Sequence, residues 1–465
     1  MRRLLIILLA LVLSACQGGA ATYSPTPKPS VQSSAPLALP PAPTPEPLTT
    51  HSPTNASTQS GWTHITTADG LPSNDLLTVA TANIVPTGIE PPCIVADSPM
   101  GQSVWVGTHG AGLGYWGGAR WNTVTTTTPD TRLASNTVQA IFVLPRGRVM
   151  IGTDQGLSTF CPLKPPSWEF RVGWNTPRSS TQAIYLVGAT HFFGHPDGTR
   201  AMYQTSLNRL FTTADGLGAN DTRAIVGDAS ISRAWVGTFG GGIGVFSVAN
   251  TATRLRSTLT TANSGLPNNY VTSLARETSG VLWIGYAPDP AGGRAGGVSR
   301  YDETAPEASR WQHFSATSGN LPSEDVRALA VDRDGDLWVG TAAGLARRAA
   351  PTGAWTRYTV ETTGGGLGSN VISAIAVAPD GTRWFSTRGG GLTRLVGSPP
   401  PPVTQTPGPS VTTQPTRTTT ATIWASQTPT LTSTPTASAT ATSTPTPPLV
   451  RYPLYLPHLS RAKTS

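Results

Sequence analysis

The chain has 465 residues, with 49 Gly, 43 Pro, 12% charged residues and a formal net charge of +8. Gly and Pro exceed average usage without reaching the range of a wholly disordered chain, and the length allows two or three domains. The charge is uneven. Residues 61–397 hold 25 Lys/Arg against 23 Asp/Glu, whereas residues 398–465 hold four basic residues and no acid. Nucleic-acid binding needs a basic patch on the folded part. The net charge supports none, so no nucleic-acid partner is expected.

Met1-Arg2-Arg3 opens a short positive region, and Leu4 to Leu13 is an apolar run of ten residues. That run is too short to span a bilayer as a lasting helix. It ends in Leu13-Ser14-Ala15-Cys16, followed by Gln17-Gly18-Gly19. This resembles a bacterial lipoprotein lipobox. The resemblance implies a signal peptide over 1–15 and a diacylated Cys16 as the mature N-terminus. Two acyl chains anchor stably where one does not. The expected location is the extracytoplasmic face of a bacterial cell envelope, with the lipid at Cys16 as the membrane contact. The alternative is an ordinary cleaved signal with an incidental cysteine. The other two cysteines, Cys93 and Cys161, are permitted to form a disulfide in an exported chain. No His stands at ligand spacing to them, so no zinc site is expected there.

Residues 16–60 read as a Pro/Ser/Thr-rich stalk and 398–448 as a Pro/Thr-rich linker. Together with the end of the chain they carry 24 of the 43 prolines. Such composition cannot bury enough apolar surface to offset ordering entropy and favours extended polyproline II. Residues 449–465 form a short apolar tail containing Tyr452-Pro-Leu-Tyr-Leu-Pro457, read as a docking tag or a frayed end.

Between them, over 61–397, one phrase recurs: Val104-Trp-Val-Gly-Thr108, Val149-Met-Ile-Gly-Thr153, Ala234-Trp-Val-Gly-Thr238, Leu282-Trp-Ile-Gly-Tyr286, Leu337-Trp-Val-Gly-Thr341 and Arg383-Trp-Phe-Ser-Thr387. The spacing is one blade of a β-propeller, about 40–50 residues. The gap between Met150 and Trp235 is nearly two periods, and His191-Phe-Phe-Gly-His195 supplies a degenerate copy inside it. Seven blades follow. Each copy is preceded by a turn such as Asp69-Gly-Leu-Pro-Ser-Asn74, whose Gly, Asn and Pro suit positive or fixed φ. Most turns follow an aromatic outer strand such as Trp355-Thr-Arg-Tyr358. The first landmark, Trp62-Thr-His-Ile65, is an outer strand with no blade before it. The last blade ends near Leu395 without an outer strand. The expected fold is therefore an all-β, seven-bladed propeller in which the N-terminal strand completes the last blade and leaves no free edge at the seam.

These phrases resemble the two-component-regulator propeller repeat, best over Leu321 to Ala346. The resemblance implies the periplasmic sensor propellers of hybrid histidine kinases, which detect extracellular glycans or related nutrients. This sequence shows no second apolar span, kinase or receiver motif. The expected function is a non-enzymatic recognition module for a glycan, a peptide or a partner protein, sensing in trans for a separate kinase, with no cofactor. A rival is a propeller enzyme similar to streptogramin lyases, which would need a His base and a carboxylate for Mg²⁺ at the channel mouth. His109 and Asp154 are the candidates. A third reading is a purely structural scaffold.

A binding site on a propeller belongs at one mouth of the channel. Loops leaving the second strands and entering the first strands would line it. The residue after the Gly-Thr phrase varies on a constant scaffold, which selects His109, Asp154, Phe239 and Arg388. Tyr286, which replaces the Thr, and Arg294 on a longer loop complete the candidate ligand-binding set. The repeated Trp105, Trp235, Trp283, Trp338 and Trp384 read as packing between blades. Asp332-Arg-Asp334-Gly-Asp336 lacks the spacing of a calcium loop and reads as a hairpin. His191 and His195 share a strand face without a third ligand, so no metal is expected.

Overall fold

The computed structural model describes residues 61–83, 102–129, 132–144, 148–160, 179–203, 207–249 and 252–398. Cys16, Cys93, Cys161, the stalk and the C-terminal tail lie outside them.

Seven antiparallel sheets stand in a ring. From the channel outward, blade one is Leu76–Asn83, Gln102–Thr108, Leu113–Trp116 and Trp121–Val124. Blade two has three described strands, Val138–Val143, Val149–Thr153 and Gly156–Phe160. The outer strand expected at Trp168 lies outside the described residues. Blade three is Ala183–Val187, Thr190–His195, Gly198–Tyr203 and Leu207–Phe211. The degenerate copy is thus a true second strand, with Phe192 in the place of Trp and His195 in the place of Thr. Blade four is Thr222–Asp228, Arg233–Thr238, Gly242–Ala249 and Ala252–Leu259. Blade five is Val271–Arg276, Leu282–Tyr286, Gly297–Tyr301 and Trp311–Phe314, and blade six is Val326–Val331, Leu337–Thr341, Gly344–Arg348 and Trp355–Tyr358. Blade seven takes Ile372–Val377, Arg383–Thr387 and Leu392–Leu395 from the end of the domain and Trp62–Ile65 from its start. The closing register pairs Trp62 with Leu395 and Ile65 with Leu392. The N-terminal strand completes the last blade, as its phase requires.

The recurrent phrase now has a physical account. Its glycine is where one blade meets the next. A Cβ on Gly340 would lie 2.6 Å from Ile372 Cγ2, and one on Gly107 would lie 2.6 Å from the Val138 carbonyl. Its threonine is buried, and the hydroxyl closes the hairpin to the third strand: Thr341 Oγ1 donates to Gly344 O at 2.8 Å and Thr153 Oγ1 to Gly156 O at 2.8 Å. The glycine that opens the third strand has positive φ (136° at Gly344), a conformation open to glycine. There a side chain would strike the last carbonyl of the outer strand, Tyr358 O. The repeated tryptophans are buried. Trp338 Nε1 donates to Asp332 Oδ2 at 2.8 Å and Trp283 Nε1 to Glu277 Oε1 at 2.7 Å.

The turn asparagines work differently from expectation. None has positive φ; glycines such as Gly70 and Gly216 take that role. The Asn side chain is instead a strut. Asn74 Oδ1 accepts from Thr67 N and Asn220 Oδ1 from Thr213 N, both at 2.8 Å, which ties the loop after an outer strand to the start of the next blade. Glu324 does the same in blade six, accepting from Ala316 N and Thr317 N.

The apolar core is divided among the blade interfaces. Trp62 packs with Tyr358 and Phe385, centroids 5.7 and 5.8 Å away, so the closing strand also fills the interface with blade six. Burial of a large aromatic there predicts that Trp62→Ala costs about 3–5 kcal/mol. Gly340→Ala should cost about 1–3 kcal/mol by overpacking. Urea unfolding followed by tryptophan fluorescence measures both.

Candidate functional site

The channel mouth is built by one repeated backbone bond. In six of the seven blades the residue after the second strand donates its N–H to the carbonyl of the residue before the inner strand; blade three has Pro196 there, which has no N–H to give. His109 bonds Asp75 at 3.1 Å, Asp154 bonds Thr137 at 3.2 Å, Phe239 bonds Asp221 at 2.7 Å, Ala342 bonds Asp325 at 3.0 Å and Arg388 bonds Val371 at 2.9 Å. Each of these six blades thus sets two side chains next to each other on the rim. Just inside, six of the seven inner strands carry a register shift at the same place, as between Thr222 and Ala224 and between Val326 and Ala328. A bulge re-aims the extra residue. Here the extra residues are Leu77, Gln139, Arg223, Thr272, Arg327 and Ser373, and with Gln182 they line a cavity of about 260 Å³ to which all seven blades contribute.

Most of the charge on this rim is paired; Asp154 has no ion pair among the described residues. Asp221 Oδ2 accepts from Arg223 Nε and Nη2 at 3.0 and 2.7 Å. Asp325 Oδ2 accepts from Arg327 in the same way at 3.1 and 2.8 Å. Blade one has Leu77 where these blades have Arg, and Arg388 reaches across the seam from blade seven to Asp75, with Nε 2.6 Å from Oδ1. His109 Nδ1 lies 3.5 Å from the other oxygen of Asp75. The Arg223 guanidinium sits 3.5 Å from the Phe239 ring centroid, and Phe239 meets Tyr270 edge-on at 4.8 Å. Blades four and five therefore hold a preformed stack of guanidinium and two aromatic rings, a geometry that suits planar or apolar faces.

The structure brings four of the six expected residues, His109, Asp154, Phe239 and Arg388, to this rim. Tyr286 is not there. It is 1% exposed and packs with Trp235, Leu266 and Ile284, because it occupies the position whose threonine is buried in five of the other blades. Arg294 is exposed but lines a different pocket on blade five, and its Nη1 donates to Pro267 O at 2.9 Å. The sequence reading missed Asp75, Asp221, Asp325, Arg223, Arg327 and Tyr270. The first three share one repeat column, directly after the turn Asn or Glu, and that column was the available signal.

The lyase geometry needs His109 and Asp154 to converge. His109 turns instead to Asp75, and no hydrogen bond or ion pair joins it to Asp154 among the described residues. No group of three His, Cys, Asp or Glu gathers as a metal would require among those residues. The carboxylates of Asp332-Arg-Asp334-Gly-Asp336 are taken by arginines. Arg383 of blade seven reaches Asp332 at 2.7 Å and Asp334 at 2.8 Å, and Arg347 holds Asp336. His195 Nδ1 lies 3.0 Å from Ser180 O, and His191 stacks on Phe193 with centroids 6.3 Å apart.

Burial pulls the His191 pKa from 6.5 down to about 4. The unfolded imidazole takes its proton near pH 6.5, the folded one only near pH 4. Stability is therefore complete above that window and falls as pH drops through it, by up to about 3 kcal/mol. Melting temperatures of the wild type and His191→Gln between pH 7.5 and 4 should converge toward acid.

Fold and rim define a seven-bladed β-propeller with a polar channel mouth. Residues 320–343, the entry turn and first two strands of blade six, match the family model described as the two-component regulator propeller. No curated protein matches the chain in sequence. Among solved structures, the extracellular domain assigned to the hybrid two-component system BT3049 of B. thetaiotaomicron shares 18% identity at a TM-score of 0.52, covering 68% of this chain and 41% of that one. A second B. thetaiotaomicron extracellular domain, BT4673, gives 19% identity and a TM-score of 0.49, over 64% and 37%. A streptogramin B lyase gives 14% identity and a TM-score of 0.48, over 70% and 95%. The chain thus spans about two fifths of the length of the two extracellular domains. At 18% identity, the likeness to the BT3049 domain bears on the fold alone.

Proposed function

We propose that this protein is an extracytoplasmic recognition module, anchored to the membrane through a lipid on Cys16, that binds a glycan or peptide at the channel mouth. The observation that carries the reading is the preformed stack of Arg223, Phe239 and Tyr270 beside salt-bridged Asp–Arg pairs. Side chains already ordered by such contacts lose little entropy on binding, and aromatic faces edged by charged donors suit sugar rings and peptide groups. The shared fold of the extracellular domains above supports the location, as does the lipobox-like Leu13-Ser-Ala-Cys16.

A glycan and peptide array probed with the full-length chain tests the binding half. A hit should be weakened about tenfold or more by Phe239→Ala, as expected for an aromatic anchor, and left intact by Arg254→Gln on the outer strand of blade four. An array without hits would sink the ligand reading and favour a structural scaffold. The anchor is tested separately. Cys16→Ala should move the protein from the detergent phase to the aqueous phase and abolish labelling by radioactive palmitate.

A further inference from the structure

Blade five departs from the repeat in three places, and all three surround one pocket. Its loop between second and third strands runs ten residues, 287–296, against two to four in the other blades. Its Thr is Tyr286. In four blades the residue before the turn Asn or Glu is a Ser whose hydroxyl accepts the N–H two residues on, as Ser323 does from Asp325 at 3.1 Å. In blade five it is Asn268, fully buried. Asn268 Oδ1 takes over that bond, accepting from Tyr270 N at 2.8 Å. Its amide nitrogen also donates to Ala287 O at 3.0 Å and Ala295 O at 2.9 Å, the two ends of the long loop. Arg294 adds a tie to Pro267 O. One buried amide thus pins the two ends of the loop together, which no Ser at this position in the other blades does.

Under it lies a cavity of about 360 Å³, within the size range of small-molecule sites. None of its lining residues belongs to the channel cavity. Its lining includes the buried Tyr286 and Val298 and, nearer the surface, Pro267, Arg294, His313 and Phe314. His313 Nδ1 is bonded to the buried Ser299 hydroxyl at 2.7 Å, and burial holds its pKa below the usual value. Arg294 therefore carries the one permanent charge on the lining, and its remaining N–H groups have no partner among the described residues. Glu324, under the adjoining loop, turns one oxygen to Ala316 N, Thr317 N and the Thr317 hydroxyl.

We propose that this pocket on blade five is a second ligand site, separate from the channel mouth, for a small apolar carboxylate held by Arg294. The apolar body would lie against Pro267 and Phe314, and the carboxylate would accept from the guanidinium. A charge-assisted hydrogen bond of this kind separates a carboxylate from its amide by about tenfold.

The test is calorimetric titration of the full-length chain with phenylacetate and with phenylacetamide. Phenylacetate should bind about tenfold tighter. Arg294→Gln should remove that preference without shifting the melting temperature, since Arg294 is exposed. Asn268→Ser, which restores the residue found in other blades, should weaken both probes by loosening the loop. The proposal is overturned if neither probe binds, if both bind equally, or if Asn268→Ser alters only the melting temperature. It is equally overturned if the preference follows Arg388→Gln at the mouth instead of Arg294→Gln.

Discussion

Everything in this ring depends on how closely one blade's second strand approaches the first residue of the next blade's inner strand. Six blades place a glycine there: Gly107, Gly152, Gly194, Gly237, Gly285 and Gly340. A methyl group at any of them would overlap the neighbour. The seventh interface, at the seam, carries Ser386, which is buried and bonded to the Ser373 hydroxyl at 3.0 Å. The approach is tight because the apolar core is not central. It lies in wedges between blades, where Trp105, Trp283 and Trp338 are wholly buried. Well-packed interiors tolerate little volume change, so the spacing between blades is fixed around the whole circle.

The mouth inherits its order from that spacing. The register shift that turns Arg223 and Arg327 toward the channel lies one residue from the glycine contact. The carboxylates that hold these arginines immediately precede the inner strand. In blades four and six the rim charges are thus neutralised locally within a blade. At the seam Arg388 and Asp75 come from opposite ends of the domain and make the same kind of pair across two blades. The seam is a weak point in backbone connectivity, yet the rim is electrostatically continuous over it.

Much of the fold was readable in the amino-acid order because each feature repeats. The period of the Trp-Val-Gly-Thr phrase set the number of blades, and the unpaired phase of Trp62 set the closure. The site was readable only in part. His109, Asp154, Phe239 and Arg388 follow a landmark whose direction is constant, so their place on the rim could be counted. Tyr286 could not be placed that way. The burial of its position depends on the threonine hydroxyl closing a hairpin, which no periodicity reveals. Arg223 and Arg327 were hidden for another reason. A bulge breaks the alternation of faces that strand reasoning relies on.

The pairing of Trp62 with Leu395 has a kinetic consequence. The first strand of the domain finds its partner only after the last three strands exist, so ring closure is the longest-range strand pairing among the described residues. Such contacts are made late, because the intervening chain must first be ordered. Until then the third strand of blade seven is an open sheet edge, able to pair with the same strand of another molecule. The early segment carries Trp62, whose ring must find the wedge formed by Tyr358 and Phe385. Folding therefore ends with a docking step, and a chain interrupted before Leu395 has an unsatisfied latch at one end and an unpaired edge at the other.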